Sequence, residues 1–95
     1  MKINFSEGAD ADLDDIFAWI AKDSIDAAHR LVARIESRVR HLATPGLSYM
    51  GRLGQVHGTY ELVERPYIIV YEVLENSDEI FIIAVFHVRR DRDNS

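Results

Sequence analysis

Cysteine is absent from all 95 residues, and with it go disulfide stapling, thiol nucleophiles and thiolate metal sites. Lysine is nearly absent as well: only Lys2 and Lys22 occur, so the positive charge rests on arginine. The formal net charge of -5 argues against indiscriminate nucleic-acid binding, which draws on a surplus of cations. No apolar run approaches the roughly 20 residues of a membrane span, and the first residues lack a basic-then-apolar leader pattern. A soluble, cytoplasmic protein is therefore expected. With 47% hydrophobic residues over this length, residues 1–95 are expected to form one small domain with one core and no deep substrate cavity. His29, His41, His57 and His87 are scattered without ligand spacing, so neither a metal nor another cofactor is expected. Gly51, Gly54 and Gly58 surround Arg52 but lack the strand-then-helix setting of a phosphate-cradling loop.

What the chain does carry is a stretch that water serves poorly. Tyr67-Ile68-Ile69-Val70-Tyr71-Glu72-Val73-Leu74 is rich in β-branched and aromatic residues and reads as a central strand. Alternation puts Tyr67, Ile69, Tyr71 and Val73 on one face and Ile68, Val70 and Leu74 on the other, so both faces need cover. After the polar turn Asn76-Ser77-Asp78, the segment Ile80 to Val88 repeats the pattern and is expected to pair antiparallel with the first.

Upstream, Lys2-Ile3-Asn4-Phe5 reads as a short edge strand. Ser6 then caps a helix whose stripe is Ala9, Leu13, Ile16, Phe17 and Ile20, running to about Lys22. Trp19 flanks that stripe and is placed at the core margin. Ser24 caps a second helix marked by Ala28, Leu31, Val32, Ile35, Val39 and Leu42, and the short link predicts an antiparallel helical hairpin. Thr44-Pro45-Gly46 ends it. Leu47 to Gly58 reads as a loop, and Thr59 to Val63 as a strand turned into the central one by Glu64-Arg65-Pro66. The order β-α-α-β-β-β predicts an α+β fold, an antiparallel sheet packed against an N-terminal helical hairpin. Asp10, Asp12, Asp14 and Asp15 crowd the first helix while Arg30, Arg34, Arg38 and Arg40 follow in the second, and the two groups are expected to face each other.

Several strings in this order resemble the RelE/ParE superfamily of toxin–antitoxin toxins, its ParE-like branch in particular. They are Ala11-Asp12-Leu13-Asp14-Asp15-Ile16 with Trp19-Ile20, Pro45 with Gly51-Arg52, Gly58-Thr59 with Glu61-Leu62-Val63, Pro66-Tyr67-Ile68-Ile69-Val70-Tyr71, and His87 with Arg89-Arg90-Asp91. The chain departs from relatives at Tyr60 and Glu72, where arginine is common, and this thins the basic character of the working face. The resemblance implies a growth-inhibiting toxin held inactive by a cognate antitoxin, ParD-like or RelB-like, in a hetero-oligomer. ParE-type members poison DNA gyrase, whereas RelE-type members cleave messenger RNA on the ribosome. Arg52, Arg89 and Arg90 are the target-binding candidates. Phe17, Trp19, Ile69 and Tyr71 are the residues expected to meet the antitoxin.

Cleavage of RNA needs a base for the ribose 2'-hydroxyl, an acid for the leaving oxygen and cations for the phosphorane. Arg52, His87 and Arg89, with Glu61 and Arg65, are the residues that could supply them. The plainer reading makes His87 a strand-end histidine bonded to nearby backbone and Arg52 a loop anchor paired with an acid. Three classes stand, in this order: a toxin that binds gyrase, a ribosome-dependent endoribonuclease, and an inactive relative kept for antitoxin binding. Sparse acid/base groups and an acidic net charge disfavour the second.

Overall fold

The computed structural model describes residues 1–89, so Arg90 and Asp91 lie outside the described residues. Strand β1 (Lys2–Phe5) runs straight into helix α1 (Glu7–Ala21). Ser6 stays extended and its Oγ accepts from the N–H of Ala9 at 2.9 Å, while Glu7 and Asp10 occupy the first turn, where unpaired N–H groups favour negative charge. Helix α2 (Ile25–His41) begins the same way, with Ser24 Oγ accepting from Ala27 N–H at 3.1 Å. Arg38, Arg40 and His41 fill its last turn, at the negative end of the helix dipole.

The strands β2 (Arg52–Leu53), β3 (Tyr60–Glu64), β4 (Tyr67–Leu74) and β5 (Glu79–His87) complete a five-stranded sheet in the order β1-β5-β4-β3-β2. This is the α+β arrangement of helical hairpin and sheet that the sequence predicts, with two differences. First, β1 pairs with β5 in parallel, Ile3 opposite Ile80 and Phe5 opposite Ile82, so the sheet is mixed rather than antiparallel throughout. Second, the segment expected to be loop throughout contains β2, a two-residue edge strand antiparallel to β3. Among the described residues no helix is long and apolar enough to cross a membrane.

Register sorts the sheet into two faces. Leu62 opposes Ile69, which opposes Val85, and Tyr71 opposes Ile82. These side chains, with Tyr67 and Ile80, pack against Ala9, Ile16, Leu31, Ile35, Val39 and Leu42 of the helical layer in one apolar cluster. Burial of such side chains contributes about 1.5–3 kcal/mol each before entropy is counted. Val70 opposes Ala84 while Tyr71 opposes Ile82, which leaves Ile83 as the extra residue of a β-bulge. The neighbouring backbone groups find partners on the helical layer. Ser6 Oγ donates to the Ile83 carbonyl at 2.9 Å, and Val85 N–H donates to Asp12 Oδ2 at 2.9 Å.

That contact gives Asp12, one of the four aspartates of α1, a partner on the sheet. Two of the four arginines of α2 also meet the sheet. Arg34 Nε lies 2.8 Å and Arg38 Nε 3.1 Å from the carboxylate of Glu64 at the end of β3.

Candidate functional site

Two of the residues assigned to the antitoxin surface prove to be core. Ile69 and Tyr71 are both 0% exposed, because they stand on the helix-facing side of the most central strand. They offer no surface to a partner in this conformation. Tyr71 instead ties the long loop to the sheet, its hydroxyl donating to the Ser48 carbonyl at 2.9 Å and accepting from Gly51 N–H at 3.1 Å. Its ring stacks on Tyr60, which meets Tyr49 edge-on. The position that departs from arginine at Tyr60 is thus occupied by the middle ring of a three-tyrosine stack. Tyr49 binds Glu75 through its hydroxyl, which pushes the phenol up to about 12.

The other two antitoxin candidates sit on α1 with different exposures. Phe17 is half-buried against His29, ring edge to ring face at 4.8 Å. Trp19 is 55% exposed, with Lys22 Nζ 4.9 Å from its ring centre. It lies outside the core margin, whereas Ile16 and Leu31 of the two helices belong to the buried cluster.

The target-binding and catalytic candidates do converge. Arg52, Arg65, His87 and Arg89 line one open depression of ≈ 410 Å³ at the end of the sheet, with Val63, Pro66, Ile68 and Val88. The elements explain the convergence. Arg52 comes from β2, Val63 from β3, Arg65 and Pro66 from the β3–β4 turn, and His87 from the end of β5, so neighbouring strands deliver their ends to one place.

Arg52 is held from below. It stands opposite Glu61 in the β2–β3 ladder, and both Nε and Nη2 donate to Glu61 Oε1, at 3.1 and 3.0 Å. The Glu61 side chain is 6% exposed and that of Arg52 54%. The carboxylate is therefore covered by the cation it holds, and the guanidinium keeps an outer edge toward solvent. Gly51 makes the approach possible. A Cβ there would sit 2.7 Å from the Glu61 carbonyl oxygen and 2.9 Å from the Tyr71 hydroxyl, so the Gly51-Arg52 pair has a steric origin.

His87 is fixed on two sides. Its Nδ1 accepts from Arg89 N–H at 3.1 Å, and its ring meets the edge of Tyr67 at 5.3 Å. Accepting at Nδ1 places the proton of the neutral ring on Nε2. The arrangement combines three displayed arginines, an apolar floor, one covered carboxylate and one anchored imidazole. Cations of this kind over an apolar floor can meet an anionic, partly apolar surface.

Residues that sequence reasoning passed over are the floor and flank of this end: Val63, Ile68 and Val88 beneath the arginines, and Arg30 and Arg34 beyond Pro66. The helical spacing of Arg30, Arg34 and Arg38 was the available signal, since residues four apart share one helix face.

Comparison with known proteins gives the same answer from three directions. The family model described as ParE toxin of type II toxin-antitoxin system, parDE, matches residues 3–92. A protein of Sinorhizobium fredii provisionally named toxin Y4kP is 44% identical over 80 residues, covering 82% of this chain and 78% of the relative. Among solved structures, a chain of the chromosomal ParDE toxin–antitoxin system from P. aeruginosa superposes with a TM-score of 0.79 at 27% identity, covering 93% of this chain and 96% of that one. The isolated RelE toxin of E. coli shares the fold, with a TM-score of 0.65 at 15% identity over 98% of this chain and 89% of its own. The sheet, the helical hairpin and the match along nearly the whole sequence have one explanation: the chain belongs to the ParE toxin family of type II toxin–antitoxin systems.

Proposed function

We propose that this protein is the toxin of a type II toxin–antitoxin pair, neutralised by a cognate antitoxin, and that it acts in the cytoplasm by binding DNA gyrase rather than by cleaving RNA. The observation that carries the reading is the state of the two acid/base candidates. Glu61 is covered by Arg52, and His87 Nδ1 is occupied by the backbone of Arg89. The displayed cations Arg52, Arg65 and Arg89 over an apolar floor support a surface that grips.

The test compares two assays on one preparation. Purified toxin is expected to inhibit gyrase supercoiling and to leave ribosome-bound messenger uncut. Arg52→Ala and Arg89→Ala are each expected to weaken inhibition about tenfold while the fold persists. Codon-positioned cuts that disappear in His87→Ala would place the protein with the ribonucleases instead. The antitoxin is expected to abolish gyrase inhibition at equal concentration.

A further inference from the structure

The end of the sheet carries a second depression, and the two share a wall. One, described above, holds Arg52, Arg65 and Arg89 over Val63 and Val88. The other, ≈ 340 Å³, lies between the helical layer and the start of β4, where Arg30 and Arg34 stand beside Ile20 and Ala27. Pro66 lines both. It is the ridge between them.

From these observations we infer that the two depressions form one track across the β3–β4 turn, and that its occupant is an acidic peptide segment with interspersed apolar side chains. The inference rests on reading the first depression as a binding surface, and it adds the second depression and the chemistry of the ligand. Three observations carry it.

Charge comes first. The chain has nine arginines, and six of them, Arg30, Arg34, Arg38, Arg52, Arg65 and Arg89, belong to this end or to its ion pairs, although the protein as a whole carries a net charge of -5. The carboxylates seated among them are Glu61, under Arg52, and Glu64, shared by Arg34 and Arg38. Glu64 draws two guanidinium groups of α2 toward the turn and neutralises less charge than it gathers. A local surplus of guanidinium groups on an acidic molecule steers an anionic ligand to one place.

The floors come second. The first depression offers Val63, Pro66 and Val88 and the second Ile20, Ala27 and Pro66 as apolar surface that is not fully buried, and each is near the low end of the volume range of small-molecule sites. An open hollow of this size takes one side chain of a partner more readily than it encloses a substrate. A phosphate backbone would meet the arginines but leave both floors without a contact. A peptide that alternates carboxylates with leucine or phenylalanine satisfies both layers.

Reach comes third. A peptide of about twelve residues extends about 40 Å. The molecule measures 42 × 29 × 21 Å, so such a segment can cross the turn and fill both hollows at once.

The experiment uses the full chain and a fluorescein-labelled peptide of about twelve residues alternating glutamate with leucine or phenylalanine, its length set by the same extension. Fluorescence anisotropy at low ionic strength is expected to show saturable binding. Polyglutamate of equal length, lacking the apolar anchors, is expected to bind about tenfold more weakly. Arg30→Glu and Arg65→Glu, one on each side of Pro66, are each expected to weaken binding about tenfold. Arg40→Glu, a charge reversal on α2 at a residue that lines neither hollow, is the control and should change it little. Circular dichroism confirms that the variants are folded.

Binding lost only in Arg65→Glu would confine the ligand to the first depression and overturn the track. Equal binding of an oligothymidylate would overturn the peptide assignment in favour of nucleic acid. No saturable binding would overturn both. Absence of gyrase inhibition alongside intact peptide binding would refute the gyrase target and leave the track standing.

Discussion

Gly51 shows how much can depend on one missing side chain. Its N–H donates to the Tyr71 hydroxyl, and its Cα faces the Glu61 carbonyl closely enough that a methyl group would lie within 2.7 Å of it. Neither obstacle is the far end of a mobile chain, because the carbonyl belongs to β3 and the hydroxyl is pinned by Ser48. Gly51→Ala is therefore expected to destabilise the protein by about 2 kcal/mol through overpacking. It should also move Arg52 off Glu61, since β2 has only two residues to absorb the displacement. Chemical denaturation measures the first effect and toxicity the second. A variant with unchanged midpoint and unchanged toxicity would mean the loop yields freely.

At the scale of elements, the joint between α1 and β5 depends on a few polar contacts near the bulge at Ile83. Asp12 Oδ2 accepts from Val85 N–H, and Ser6 Oγ donates to the Ile83 carbonyl. Hydrogen bonds to charged groups contribute roughly 1.5–3 kcal/mol, and removal of one partner leaves the other without its bond. Asp12→Ala is expected to cost about 2 kcal/mol, while Asp12→Asn, which keeps an acceptor oxygen, should cost less than half as much. Thermal unfolding of the two variants separates a specific bond from a general need for acid on α1: equal losses would point to charge alone.

The same joint marks the limit of what the residues disclose. Helix caps at Ser6 and Ser24, the stripes of both helices and the paired strands β4 and β5 are legible because periodicity and capping act within a few positions of the chain. The parallel pairing of β1 is not, because four residues with two apolar side chains carry no sign of a partner's direction. Nor is β2, where Arg52 and Leu53 take strand form only through β3. The candidate site was legible in its cations and not in its geometry. Arg52, Arg65, His87 and Arg89 could be picked by type, but that Glu61 lies buried beneath Arg52 depends on a ladder between distant residues. Ile69 and Tyr71 were misplaced for a related reason. Alternation separates the faces of a strand without telling which one the helices take.

For the molecule as a whole, apolar exposure gathers largely in one segment, with Trp19 and Ile25 on the helices apart from it. Leu47, Tyr49, Met50, Leu53 and Val56 all fall in the loop and edge strand after α2, with Leu53 80% and Val56 69% exposed. Arg52, the one charge on this two-residue edge strand, is drawn onto Glu61, and the apolar side chains around it invite pairing. The isolated chain is therefore expected to self-associate in size-exclusion chromatography as its concentration rises. Addition of cognate antitoxin should give one defined complex and slow hydrogen exchange in β2 and β3. A monodisperse chain whose exchange is unaffected by antitoxin would show that these side chains are not an interface.

The position of β1 against β5 has a further consequence, in time. Their paired residues, Lys2 with Glu79 to Phe5 with Ile82, are separated by most of the chain. At translation rates of roughly 5–20 residues per second, β5 leaves the ribosome about 4–15 s after β1. Until then Asp12 of α1 lacks its partner at Val85, and the depression lacks His87 and Arg89. The candidate surface is thus complete only once β5 has been made, long after β1. Antitoxin already present at the ribosome has that interval in which to be waiting.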